Sequence, residues 1–162
     1  LSYIHLFFVL IWLLCIQTIA DAQEVVLKVK GPGATPQRTF TEQDIRALPA
    51  VTISTLDPWE KKQRSYTGCT IMSLLEMLGV EDQINIVHVI ARDEYNAKIS
   101  LKELSRYQYL LTYEMDGKDY SEWGNSDKGP LAIAVKLEDV RKEDKVRVKN
   151  QLVLWIKEIV LK

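Results

Sequence analysis

Two side chains capable of strong chemistry stand almost alone beyond residue 22: the thiol of Cys69 and the imidazole of His88. Cys69 lies between Gly68 and Thr70, where a helix is expected to begin, and free amides at a helix start lower a thiol pKa. That would suit a nucleophile or a soft metal ligand, whereas a small buried cysteine behind a glycine is an ordinary packing choice and the one favoured here. His88 falls inside the apolar run 84–91 and reads as a satisfied histidine on a sheet face. With one thiol and one imidazole, residues 23–162 can form no internal disulfide. They offer neither a zinc site of His/Cys type nor a mechanism needing two histidines.

The elements that must position these groups are organised around residues 66–80. Thr70 is a cap for the following turn, and Ile71, Leu74, Leu75 and Leu78 repeat at i, i+3, i+4 and i+7, which predicts one amphipathic helix. Gly79 fits a left-handed C-terminal cap, and Gly68 reads as a turn glycine with positive φ ahead of the helix. Upstream, residues 24–30 alternate with Val25, Leu27 and Val29 on one face, predicting a half-buried strand that the Gly/Pro-rich stretch 31–36 ends. Thr41 and Asp44 resemble a capping arrangement for a short helix to Leu48, closed by Pro49. Residues 51–55 are β-branched and predict a strand, followed by a polar loop over 56–65.

Downstream, residues 84–91 are apolar on both faces and predict a central strand. A turn follows at 93–96, then a short strand over 97–99 and a capping box of Ser100 with Glu103. Asp116-Gly117 between residues 109–114 and 118–120 is a strong hairpin signal. Residues 131–135 read as a buried strand, 136–149 as a charged solvated loop, and 152–161 as a closing strand that carries Trp155. Strands outnumber short helices without a regular βαβ alternation, so the expected fold class is α+β with a mixed β-sheet.

Residues 1–22 form an apolar leader ending in Ala20-Asp21-Ala22, a small-x-small site, and are expected to be a signal peptide cleaved near Gln23. The other reading is an uncleaved anchor, the only route by which the membrane becomes a partner. Asp21 is the one Asp, Glu, Lys or Arg in that leader, so residues 23–162 carry equal numbers of acidic and basic side chains. Such a balance gives no electrostatic case for nucleic acid. Residues 23–162 are expected to form a single domain.

Several pieces in order, namely Val51-Thr52-Ile53-Ser54-Thr55, Trp59, Tyr66-Thr67-Gly68 opening a Leu-Leu helix, Ala91-Arg92-Asp93-Glu94-Tyr95, and Asp127-Lys128-Gly129-Pro130-Leu131, resemble the molybdopterin-binding domain of the sulfite oxidase family. The resemblance is to the short, secreted, stand-alone form and covers roughly residues 39–159. It implies that family's fold and a cofactor cleft. Enzymes of the family hold molybdenum through pterin sulfurs and one cysteine thiolate, a soft and strongly donating ligand. The matching strand end here offers Thr55, without sulfur, and Asp57-Pro58-Trp59 replaces the arginine-rich segment that usually follows.

By this resemblance the cleft is lined by Trp59, Tyr66, Thr67, Gly68, Asp93, Tyr95, Trp123, Lys128, Gly129 and Pro130, aromatic walls with a few polar contacts. The functional expectation is an extracytoplasmic binding module, periplasmic or secreted, without molybdenum redox chemistry. Its partner would be a small-molecule ligand or a membrane sensor or redox partner protein, with no cofactor or metal expected and catalytic residues unknown. The alternative is a molybdopterin-dependent oxidoreductase, or a subunit of one, in which Cys69 would be the substitute metal ligand.

Overall fold

The computed structural model describes residues 24–33, 36–123 and 129–162, so the leader 1–22 lies outside the described residues. Two sheets carry the chain. The first has the order β2-β1-β10-β5-β6, built from Val25–Lys30 (β1), Arg38–Thr41 (β2), Ile86–Ala91 (β5), Asn96–Ser100 (β6) and Ile156–Leu161 (β10). It is mixed, because β1 pairs β10 in parallel while its other pairings are antiparallel. In the second, Ala50–Leu56 (β3), Gln63–Thr70 (β4) and Leu110–Met115 (β7) run antiparallel. The far edge of β7 pairs Lys118–Asp119 (β8) and Ala132–Ala134 (β9) at different points.

Both sheets send side chains into one core that includes Leu27 and Val29 of β1, Val87 and Val89 of β5, Cys69 of β4 and Leu111 of β7. A smaller cluster of Ile53, Tyr66, Leu110, Tyr120, Ala132 and Ala134 belongs to the second sheet. Period-2 alternation explains how neighbours such as Leu110 and Leu111 serve different clusters.

The helix Ile71–Leu78 (α2) forms as its spacing predicts. Thr70 Oγ1 accepts from Ser73 N at 3.0 Å, and the carbonyl of Tyr109 accepts from Ile71 N at 3.0 Å, so the start is tied to the residue just before β7. At the other end Gly79 has φ 66°, and the amides of Gly79 and Val80 donate to Glu76 O and Leu75 O, which satisfies orphan carbonyls of the last turn. Ile71, Leu74 and Leu75 are buried, each contributing about 1.5–3 kcal/mol of apolar transfer free energy. Both capping boxes form, Thr41 with Asp44 ahead of Glu42–Arg46 (α1) and Ser100 with Glu103 ahead of Leu101–Arg106 (α3). The hairpin turn has φ 53° at Asp116 and 74° at Gly117, the primed geometry that matches strand twist.

Several expectations require correction. Gly68 is inside β4, not in a turn, and its φ is not positive. In β1 an irregular register between Val25 and Leu27 turns Val26 inward and leaves Val25 exposed. The helix α1 ends at Arg46, with Ala47 as its C-cap, and stops short of Leu48. β5 lies second from the edge of its sheet, with a buried face of Val87, Val89 and Ala91 and a half-buried face of Ile86, His88 and Ile90. The last strand begins at Ile156, and Trp155 precedes it with φ 52°, a strained value for a bulky residue.

The charged tract 136–149 is anchored rather than simply solvated. It buries Val140, Asp144 and Val148 and forms the short helix Lys145–Lys149 (α4). Tyr107 donates to Asp144 Oδ2 at 2.5 Å, Arg147 bridges Asp144 and Glu103, and Tyr109 donates to Gln151, whose amide reaches Lys98 O and Glu103. The Tyr107 hydroxyl holds the Asp144 carboxyl below its ordinary range against the opposing effect of burial, helped by Arg147 and Arg106. For Glu103, burial acts to raise the pKa, but hydrogen bonds from Ser100 and Gln151 and the charge of Arg147 leave it lowered.

A folded-state pKa below the unfolded value means that this stabilisation is complete above the ordinary carboxylate pKa and is lost as pH falls through the lower folded value. The urea midpoint is therefore expected to hold near neutrality and to fall as pH drops below about 4. A Glu103→Gln/Asp144→Asn double variant should fall less steeply over the same range. Identical pH profiles for the two proteins would rule out this network as a source of the acid sensitivity.

Candidate functional site

Three turns from separate parts of the chain converge beside the second sheet. The first follows β3, where Asp57 is fully buried. Its Oδ1 accepts from Trp59 N and Glu60 N, each at 2.9 Å, and its Oδ2 accepts from the Tyr66 hydroxyl at 2.6 Å. Asp57 N also donates to Lys62 O, and Lys61 N to Asp57 O, closing the turn with Lys61 at φ 58°. Burial, reinforced by the Asp57 carboxylate, pushes the Tyr66 hydroxyl pKa well above its ordinary value, so Tyr66 stays a neutral donor. The clamp presents Trp59, 49% exposed, from a pinned backbone.

The second turn joins β5 to β6. Asp93 Oδ1 accepts from Tyr95 N at 3.0 Å, Ala91 N donates to Tyr95 O at 2.8 Å, and Glu94 takes φ 69°. The Tyr95 hydroxyl donates to Asn150 O at 2.7 Å, fastening this turn to the segment after α4. The third is that segment, residues 150–155, together with Lys149 at the end of α4. Its Trp155 O accepts from Arg92 N at 2.8 Å, and Trp155 packs against Gly129, where an added Cβ would meet Trp155 Cδ1 at 2.2 Å.

Together these turns enclose an open cleft of about 390 Å3 lined by Trp59, Asp93, Tyr95, Lys149, Asn150, Leu152, Leu154 and Trp155. Adjoining it, and sharing Trp59, Leu152 and Leu154, lies a small apolar pocket of about 20 Å3 that includes Thr55, Tyr66 and Leu137.

Of the residues singled out in the sequence, Trp59, Asp93 and Tyr95 meet in the cleft. Tyr66 is buried and lines the small adjoining pocket instead. Thr67 sits on a strand face with its hydroxyl 3.0 Å from that of Thr52, and Gly68 is pressed against β7; neither lines the cleft. Gly129 reaches it only through Trp155, and Pro130 is half-buried beside it in sequence. Trp123 ends the 3-10 turn Tyr120–Trp123; its side chain and the whole of Lys128 lie outside the described residues. Lys149 falls in the stretch expected as solvated loop, Leu152 and Leu154 in the closing strand and Asn150 in neither, and no local signal distinguishes them. Trp155, a large aromatic just after a polar segment, was the one available hint.

Thr55, which the resemblance alone sets at the strand end of the family's metal thiolate, is buried. Its hydroxyl donates to Glu138 Oε2 at 2.8 Å and accepts from Leu137 N at 3.1 Å, while Glu138 Oε1 accepts from Leu56 N at 3.0 Å. Burial works against the Glu138 anion, yet the Thr55 hydroxyl and backbone amides hold its pKa below the ordinary value. A neutral hydroxyl engaged on both sides and backed by a carboxylate does not fit a soft metal's need for a thiolate.

Cys69 faces the main core, away from the Tyr66 cluster, with Sγ 4.0 Å from Leu111 O, and burial pushes its thiol pKa up to about 11. The activation expected from a helix start is thus reversed by desolvation. His88 Nε2 lies 3.0 Å from Asn96 Oδ1 on the exposed side of the first sheet. Among the described residues, no group of three or more His, Cys, Asp and Glu side chains is placed to hold a metal ion.

The fold has a solved counterpart. The sulfane dehydrogenase SoxCD from Paracoccus pantotrophus superposes with a TM-score of 0.63 at 14% identity, over 86% of this chain. The chain spans 38% of the length of that counterpart, so the likeness concerns one part of a larger protein. No protein-family model and no curated protein matches the sequence. At this identity the shared property is architecture: the α+β, mixed-sheet, sulfite-oxidase-like fold expected from the sequence is the fold observed.

Proposed function

We propose that this chain is an extracytoplasmic binding module that uses a sulfite-oxidase-like fold without molybdenum redox chemistry. A small ligand, or a segment of a membrane sensor or redox partner protein, occupies the cleft. The observation that carries this reading is the meeting of Trp59, Asp93, Tyr95 and Trp155, far apart in sequence, around one cleft of about 390 Å3. That volume falls within the roughly 300–1,000 Å3 typical of small-molecule sites, as does the pairing of aromatic walls with a few polar groups. The engagement of Thr55 by Glu138 and Leu137 supports a role other than metal ligation at that strand end.

The likeness to a sulfane dehydrogenase favours a second reading, a molybdopterin-dependent oxidoreductase or a subunit of one. Elemental analysis of protein from a molybdenum-replete host separates the two. The expected result is no stoichiometric molybdenum, with Cys69→Ser binding any cleft ligand as the parent does, at a stability cost of about 1–2 kcal/mol for the buried hydroxyl. Close to one molybdenum per chain, lost in Cys69→Ser, would instead establish the oxidoreductase with Cys69 as its ligand.

Export follows the same reading. N-terminal sequencing of the exported form is expected to begin near Gln23, motivated by the apolar leader and Ala20-Asp21-Ala22. Full-length protein held in the membrane fraction would make the chain an anchored domain.

A further inference from the structure

Resting on the cleft reading above, we propose that the ligand is a neutral carbohydrate, with pyranose faces stacked on Trp59, Tyr95 and Trp155 and hydroxyls held by Asp93, Lys149 and Asn150. The first argument is charge. Among the described residues the cleft is lined by one carboxylate, Asp93, and one ammonium, Lys149, and neither forms an ion pair there. A purely cationic or anionic ligand would gain one attraction and meet one repulsion in the same space. A sugar hydroxyl, which both donates and accepts, matches the carboxylate acceptor, the ammonium donor and the mixed amide of Asn150 together.

The second argument is the aromatic content. Trp59 and Tyr95 are 49% and 46% exposed, large rings that the core has left at the surface, and Trp155 joins them with Leu152 and Leu154 between. The C–H bonds on a pyranose face carry slight positive charge and meet the negative face of an aromatic ring favourably. An apolar ligand would instead desolvate the Lys149 ammonium and an Asp93 carboxylate whose one recorded hydrogen bond comes from the Tyr95 amide.

The third argument is preorganisation. Weak stacking yields useful affinity only when the platform costs little to order. The backbone under each platform is tied in advance: Trp59 N to Asp57, Tyr95 N to Asp93 and Trp155 O to Arg92 N, with the Tyr95 hydroxyl on Asn150 O and the Trp155 ring against Gly129 holding two of the rings as well. The open form of the cleft suits a chain end or an internal stretch of a short oligosaccharide better than an engulfed single ring.

The test is titration of the full chain with cellotetraose, chitotetraose and maltotetraose, and separately with an oligoproline peptide, which also docks on aromatic grooves. Binding is followed by tryptophan fluorescence and calorimetry. At least one saccharide is expected to bind, with Trp59→Ala and Tyr95→Ala weakening it about tenfold or more and Tyr95→Phe, which keeps the ring but loses the bond to Asn150 O, weakening it less than Tyr95→Ala. Circular dichroism of each variant checks that the fold is intact. Oligoproline binding that depends on Trp59, with no saccharide bound, would overturn the carbohydrate assignment and leave the cleft as the working surface. Saccharide binding indifferent to Trp59→Ala and Tyr95→Ala would overturn both. Binding of none of the probes would overturn the carbohydrate assignment alone.

Discussion

Gly68→Ala is expected to destabilise the domain by about 3 kcal/mol or more, the upper end of overpacking costs. A Cβ at Gly68 would lie 2.2 Å from Leu111 O and 2.5 Å from Thr112 Cα, both backbone atoms of β7. Side chains can rotate away from such a clash, but a strand hydrogen-bonded on both edges cannot. β7 is held by β4 on one side and by β8 and β9 on the other. Relief would require parting β4 from β7 where their register already shifts, between Thr67 and Gly68. In an ordinary strand position, glycine to alanine is mildly favourable, by roughly 0.5–1 kcal/mol. Gly33→Ala is an instructive control, because it has open space and only a positive φ of 63° to oppose it. Its cost should be about 1–2 kcal/mol. Urea denaturation of both variants decides the matter, and a Gly68→Ala protein within about 1 kcal/mol of the parent would mean that the close approach is illusory.

The same glycine shows where sequence reasoning reaches its limit. That residue 68 must lack a side chain was legible, but two physical demands produce the same letter: a left-handed backbone and a neighbour too close for a Cβ. Choosing between them requires knowing which strand lies alongside, a long-range fact. Local signals fared better. The Thr70 cap, the Ile71/Leu74/Leu75 face, the Gly79 stop, both capping boxes and the Asp116-Gly117 turn depend on residues within a few positions of one another, and all appear as expected. Capping, helical periodicity and turn chemistry are settled within one turn of chain, so they survive whatever tertiary structure follows.

The cleft was legible only in part for the same reason. Trp59, Asp93 and Tyr95 sit on turns rich in Pro, Asp and Asn, where exposed aromatics attract notice. The opposite wall, Lys149 to Trp155, is contributed by a segment whose placement is fixed by Tyr107, Tyr109 and Glu103 through Asp144, Arg147 and Gln151. Those contacts join residues about forty positions apart in sequence, and a run of Lys, Arg, Asp and Glu gives no sign of which charges will be buried. Glu138 escaped notice likewise: it is one acid among many until β3 brings Thr55 and Leu56 to it.

Asp57 is the strongest case of a residue whose type looked like loop filler and whose position makes it decisive. It is a fully buried carboxylate that takes hydrogen bonds from Trp59 N, Glu60 N and the Tyr66 hydroxyl. Asp57→Ala would strand those donors, and an unsatisfied buried donor costs about 1–3 kcal/mol. Water can reach the Glu60 end of the turn, so the expected loss is about 3–4 kcal/mol rather than the full sum. Asp57→Asn keeps the shape and one acceptor, and the Tyr66 hydroxyl can accept from the new amide, so it should recover at least half of the loss. The effect should also be local in a way that a generic core defect is not. With the clamp gone the Trp59 ring loses its fixed backbone, so its near-ultraviolet dichroism should collapse at temperatures where far-ultraviolet signals from the sheets persist. Because Trp59 is one wall of the cleft, Asp57→Ala should weaken cleft binding as much as Trp59→Ala does, although Asp57 is not among the residues that line it. A variant with parental stability and parental near-ultraviolet dichroism would show that the turn holds itself and that Asp57 is not what aims Trp59.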